Sequence, residues 1–175
     1  MCGITGFVSK NEFVSGKQYH NAHHKIKHRG PDDEGFYAFN KQKKFEEFKG
    51  DDTISNFKNL SHLCKLSKSN IILGHRRLSI FDLSSNGHQP FLYKNLILIY
   101  NGEIFNFIEI RKKLIKLGYK FKSNSDTEVF LISYYHWGEK CFEKFNGMWA
   151  AAIYNNNDKS LVLSRDRFGI KPLYY

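Results

Sequence analysis

Cysteine and proline are both scarce in this 175-residue chain, with three of each. Cys2, Cys64 and Cys141 are an odd number without close spacing, which argues against a disulfide framework or a C-x-x-C metal site and points to a reducing compartment. No run approaches the roughly 18 apolar residues of a membrane span. The N-terminus also lacks a basic stretch followed by an apolar one, so neither a membrane anchor nor a signal peptide is expected and the expected location is cytoplasmic. Acidic residues are in deficit, 17 against 27 basic ones, for a formal net charge of +10. The excess lies in scattered lysines, chiefly from Lys41 to Lys68 and from Arg111 to Lys122. With no platform of aromatic and arginine side chains, charge alone does not argue for a nucleic-acid partner.

What is present is a core. At 41% hydrophobic and 16% aromatic content, the chain can bury one sizeable interior and is short for two. "ITGFV" (4–8) and "EGFYAF" (34–39) read as strands, and "SGKQYHNAHHKIKHRG" (15–30) as a helix stopped by the Gly30-Pro31 break. From Asn40 to Asn70 the sequence is polar, lysine-rich and weakly periodic, and is expected to be a partly disordered surface insertion. "NIILGHRRLSIFD" and "NLILIYNGEIFNF" each begin as an apolar strand, the second ending at Asn101-Gly102. Helical spacing of Phe107, Ile110, Leu114 and Leu117 follows, with Asn106 and Glu109 as the start signal and Gly118 as the stop. A second helix starts at "SDTEVF", where Ser125 and Glu128 are spaced as a capping box. "MWAAAIYN" and "SLVLSRD" flank the turn "NNND" as two strands. The pass yields a single α/β-type domain with strands in several layers.

Several residues admit two readings. Asn101-Gly102 is a hairpin signal or an oxyanion hole made of an amide side chain and a backbone N–H. Arg77 is an ion-pair partner or a fork for a carboxylate. Asp126 complements a helix N-terminus or receives a substrate ammonium. His20, His23, His24 and His28 share roughly one helical face, but nothing in sequence completes a metal set, so a surface helix explains them and no metal is expected. Cys2 stands apart by position. An initiator methionine is commonly trimmed before a small residue, which would put a thiol and an α-amine on one residue.

Taken in order, "MCGITGF", "HRGPDDEG", "GHRRLSIFD", "YNGEIFN", "SDTEVF", "FNGMWAAAIY" and "SRDRFGIKPLYY" resemble the class II glutamine amidotransferase domain of glutamine-hydrolysing asparagine synthetases. The resemblance implies an α+β fold, a four-layer αββα sandwich of the N-terminal nucleophile hydrolase type. It implies that Cys2, exposed by loss of Met1, attacks the side-chain amide of L-glutamine, with Asn101 and Gly102 as the oxyanion hole. It assigns the substrate carboxylate to Arg77, with Leu78, Ser79, Ile80 and Phe81 lining the same loop, and the substrate ammonium to Asp126 assisted by Glu103. No cofactor is implied for this half.

On the same resemblance, residues 1–175 are one amidotransferase domain with a truncated C-terminal edge and a polar insertion at 40–70. A synthetase domain that uses Mg-ATP to make asparagine from aspartate is missing from the chain, so its partner is a C-terminal domain or a separate subunit. A homodimer is one assembly open to it; nucleic acid and membrane are not expected partners. Two rivals are retained: a glutaminase serving another acceptor, such as a sugar in surface-polysaccharide synthesis, and a non-catalytic scaffold of the same fold.

Overall fold

The computed structural model describes residues 1–39, 44–80 and 84–175. Their strands are all paired antiparallel, in two four-stranded sheets. That pairing, with separate helices, makes the class α+β, as the family resemblance implied. The described residues fall into two compact units, residues 1–80 with 88–90, and residues 84–87 with 91–175.

In the first unit the sheet order is β1-β4-β2-β3, from β1 (Gly3–Val8), β2 (Asp33–Phe39), β3 (Phe45–Phe48) and β4 (Ile71–Arg77). Every residue of β4 is buried, as its inner position between β1 and β2 requires. Helix α1 (Gly16–His24) opens with a capping box in which Ser15 and Gln18 satisfy each other's backbone N–H. It lays Tyr19 over a core that includes Phe36, Phe48, Leu63, Leu66 and Ile72.

Two expectations change here. The helix ends at His24 rather than Gly30, continuing only as a 3₁₀ turn over Lys27–Arg29. His20 and His23 are therefore buried while His24 and His28 are exposed, so the four histidines do not act as one face. The stretch read as a disordered surface insertion, over its described residues 44–70, supplies strand β3 and buries Phe48, Leu63 and Leu66. Its apolar residues are too few and too widely spaced for a periodic signal; Phe48 is buried through the pairing of β3 with β2, and Leu63 and Leu66 by packing with Tyr19, Phe36 and Ile72.

The second unit has the order β5-β6-β7-β8, from β5 (Phe91–Tyr93), β6 (Leu96–Ile104), β7 (Gly147–Asn155) and β8 (Leu161–Arg165). β6 and β7 pair along nine residues each, from Leu96↔Asn155 to Ile104↔Gly147. Helices α2 (Phe107–Lys116) and α3 (Asp126–Trp137) cover the core face, where Leu98, Tyr100, Ile110, Leu114, Phe130 and Trp149 pack. Each such buried apolar side chain is worth roughly 1.5–3 kcal/mol over leaving it exposed. α2 closes with Gly118 at φ 92°, while Tyr119 N–H donates to the Leu114 carbonyl at 3.1 Å and Gly118 N–H to that of Ile115 at 2.9 Å.

The expected start signals are spent differently. Asn106 joins the loop before β7, donating to the Lys144 carbonyl at 2.9 Å and accepting from Asn146 N–H at 2.9 Å. The Glu128 carboxylate accepts the N–H groups of Lys122 and Ser123 and the Ser123 hydroxyl, at 2.7–3.0 Å, rather than that of Ser125. Among the described residues no helix is long and apolar enough to cross a membrane.

Candidate functional site

In the first unit, pairing of Gly3 with Arg76 places Cys2 beside the end of β4, where the chain leaves the sheet at Leu78. Leu78 N–H points at Cys2 Sγ at 3.4 Å, and Sγ lies 3.8 Å from the Leu78 carbonyl oxygen. The sulfur thus meets both the donor and the acceptor of one peptide residue, which fixes its position beside the end of β4. Cys2 is half-buried, and its carbonyl accepts from Arg29 Nε at 3.2 Å.

Arg76 and Arg77 are neighbours on a strand, so their side chains leave opposite faces. Arg76 is wholly buried in an ionic cluster, 2.7 Å from Asp52 and 3.3 Å from Glu34. Arg77 is also buried, on the other face, with Asp33 as its cross-strand neighbour. The loop that follows is anchored by Ser79 N–H donating to Asp32 at 2.8 Å. Ile80 is exposed, and Phe81 lies outside the described residues.

The acidic run of "GPDDEG" thus divides its work. Asp32 holds the loop, and Asp33 accepts from Ile54 N–H at 3.1 Å and lies 2.7 Å from His88 Nδ1. Glu34 accepts from Asp52 N–H at 2.8 Å.

In the second unit Asn101 and Gly102 are not a turn. Both lie within β6, opposite Ala150 and Trp149 of β7. The glycine is required by close approach: a Cβ there would fall 2.5 Å from the Met148 carbonyl oxygen and 2.7 Å from Trp149 Cα. Two residues on, the strand ends beside a cavity of about 190 Å³ lined by Glu103, Ile104, Phe105, Phe107, Asn124 and Asp126.

Asp126 opens α3, and one of its oxygens, Oδ2, accepts both from Tyr100 Oη at 2.7 Å and from Ile104 N–H at 3.0 Å. Burial lifts the carboxyl above the ordinary range, those two donors pull it back in part, and Glu103 pushes it up. A cavity floored by two carboxylates can receive a cation, and an ammonium beside Asp126 relieves that strain.

The structure therefore brings Cys2 to Leu78 in one unit and Glu103 to Asp126 in the other. Asn101 and Gly102, on the same strand as Glu103, are not among the residues lining that cavity. Sequence reasoning missed Arg29, Asp32 and Tyr100 as supports; "HRGPDDEG" and "YNGE" held them in view, but their contacts span 26 residues or more.

The profile of the family described as glutamine amidotransferase domain matches residues 62–175. A Methanocaldococcus jannaschii protein provisionally named asparagine synthetase [glutamine-hydrolyzing] 2 is 36% identical over 191 aligned residues, covering 100% of this chain and 32% of that protein. Asparagine synthetase [glutamine-hydrolyzing] 1 of Bacillus subtilis is 37% identical over 181 residues, covering 100% of this chain and 24% of the other. The chain thus spans a third or less of these relatives.

Among solved structures, glutamine phosphoribosylpyrophosphate amidotransferase from B. subtilis superposes with a TM-score of 0.73 at 23% identity, over 98% of this chain and 38% of that one. That likeness gives the fold, which is of the N-terminal nucleophile hydrolase type.

Proposed function

Because this chain belongs to the glutamine amidotransferase domain family, we propose that it hydrolyses L-glutamine to L-glutamate and ammonia with Cys2 as nucleophile. The observation that carries this reading is the Leu78 N–H directed at the Cys2 sulfur at 3.4 Å.

With Met1 removed, the Cys2 α-amine has an ordinary pKa of about 7.7–8.0 beside a thiol of about 8.5, so it takes the thiol proton near neutral pH. The thiolate attacks the amide carbon. Asn101 Nδ2–H and Gly102 N–H stabilise the oxyanion. As the C–N bond breaks, the proton passes from the α-amine to the leaving nitrogen, and ammonia departs from a γ-glutamyl thioester. Water then adds to the thioester, giving its proton to the amine, and collapse releases glutamate and restores the thiol.

Arg77 receives the substrate carboxylate beside the backbone of residues 78–81, and Asp126 with Glu103 receives its ammonium. The hydrolysis itself draws on no cofactor and no metal. The domain spans residues 1–175 and works in the cytoplasm with a synthetase domain or subunit. There the ammonia meets aspartate activated by Mg-ATP and forms asparagine.

The test is glutamate release from glutamine, paired with intact mass. Turnover by protein lacking Met1, abolished in Cys2→Ala, supports the assignment. Undiminished turnover in Cys2→Ala overturns it, and a processed but inactive wild type assigns a scaffold role. Supplying the full-length protein with aspartate and Mg-ATP tests the acceptor: ammonia without asparagine would transfer the role to another carboxyl or sugar acceptor.

A further inference from the structure

Helix α1 and the segment after β3 bring three ligand-type side chains together inside the first unit. His20 is on the buried side of α1, Asp51 is in the turn after β3, and His62 precedes the 3₁₀ turn at Leu63–Lys65. One donor atom from each lies within 4.8 Å of the other two. His62 Nε2 is 3.1 Å from Asp51 Oδ1, His20 Nε2 is 3.8 Å from Asp51 Oδ2, and the two imidazole centroids are 5.2 Å apart.

An independent observation comes from His20 itself. The residue is 5% exposed, and its Nε2 is buried without a hydrogen-bond partner; the nearest oxygens, Glu34 Oε1 at 3.6 Å and Asp51 Oδ2 at 3.8 Å, are beyond hydrogen-bond length. Buried ring nitrogens are ordinarily hydrogen-bonded, and this one instead faces two carboxylates and a second imidazole, with Asp51 and His62 within ligand reach of one cation.

The scaffold that carries the other two ligands is fixed. Asp52 N–H donates to Glu34 at 2.8 Å, Gly50 N–H donates to Thr53 Oγ1 at 2.8 Å, and that hydroxyl donates to the Glu34 carbonyl at 2.7 Å. Leu63 N–H donates to the Lys49 carbonyl at 2.9 Å and Lys49 N–H to that of Ser61 at 3.1 Å, which holds His62 beside β3.

We propose that His20, Asp51 and His62 bind a first-row divalent cation of the zinc class, clasping α1 to the 49–63 segment. Two imidazoles and one carboxylate suit such an ion rather than magnesium or calcium, which take oxygen-only shells. Glu34, beside His20, adds negative charge, while Arg76 is already occupied by Glu34 and Asp52. Binding has one local cost. His62 Nδ1 accepts Cys64 N–H at 3.2 Å, and a metal on Nε2 moves the ring proton to Nδ1, so that bond is exchanged for coordination.

The test is zinc titration by calorimetry and cobalt titration by visible absorption. It uses chelator-treated protein carrying Cys2→Ala and Cys64→Ser, which removes the two cysteines that are not buried. The site predicts one saturable equivalent, a rise in Tm on binding, and at least tenfold weaker binding in Asp51→Asn. That side chain is 66% exposed, so the isosteric change leaves folding intact. His28→Ala, an exposed histidine outside the cluster, leaves affinity unchanged. Absence of saturable binding, or binding indifferent to Asp51→Asn, overturns the assignment and leaves an ionic cluster in its place.

Discussion

Tyr100 donates its hydroxyl to Asp126 at 2.7 Å, joining the middle of β6 to the first residue of α3. The phenol is buried, so the bond is shielded from water and holds the carboxylate ionised against a site that favours the acid. Tyr100→Phe removes that donor and raises the Asp126 pKa further. Since ammonium capture needs the carboxylate, the KM for glutamine should rise, and rise further as pH is lowered, with kcat little changed. A KM unchanged at every pH would remove Tyr100 from the support of Asp126.

Asp126→Asn separates stability from function. The folded carboxyl titrates above its unfolded value, so the unfolded chain releases this proton first and the group costs stability once pH has risen through the folded pKa. Both protein donors use the same oxygen, and an asparagine carbonyl in that place keeps them. The variant should melt no lower than wild type at neutral pH. Its glutamine KM should rise about tenfold to a hundredfold, the worth of a charged hydrogen bond of about 1.5–3 kcal/mol. A lowered Tm together with normal KM would remove Asp126 from the ammonium site.

Gly102→Ala should destabilise the second unit by about 1–3 kcal/mol, the usual cost of forcing a methyl into packed structure. The new Cβ meets the β7 backbone at Met148 and Trp149 rather than a movable side chain. Urea unfolding reads this directly, and an unchanged midpoint would show that β6 and β7 separate at no cost.

Asn101-Gly102 also marks where local sequence stops being informative. As a dipeptide it signals a hairpin, yet a nine-residue ladder with β7 carries the strand through it. The apolar runs that became β4, β6 and β7 were legible because burial on both faces leaves a continuous hydrophobic string. β3 was not, since "FEEF" is short and has two glutamates at its centre. At the candidate site, Cys2 stood out by its position and Leu78 by resemblance to a family. The contact of the Leu78 N–H with the Cys2 sulfur, across 76 residues, was not legible, nor was the meeting of His20 with Asp51 and His62, because both depend on tertiary closure.

His88 gives stability a pH dependence of the same sign as that of Asp126, since both hold a proton more tightly in the folded chain. Its side chain is buried, stacked on Phe57 at 4.0 Å, with Nδ1 2.7 Å from Asp33 and Nε2 3.4 Å from Glu47. Burial alone would lower the imidazole pKa, but the two carboxylates outweigh it and raise it to about 9. The unfolded value is about 6.5, so the folded protein holds this proton more tightly. The contribution is complete below about pH 6.5 and is lost as pH rises through about 9, with a ceiling of about 3 kcal/mol. His88→Gln removes the titrating group but keeps a polar side chain. The stability gap between wild type and variant, from urea midpoints at pH 6, 7.5 and 9, should therefore narrow as pH rises. A gap that stays constant means that His88 is neutral in the folded protein and that Asp33 and Glu47 are held by other donors.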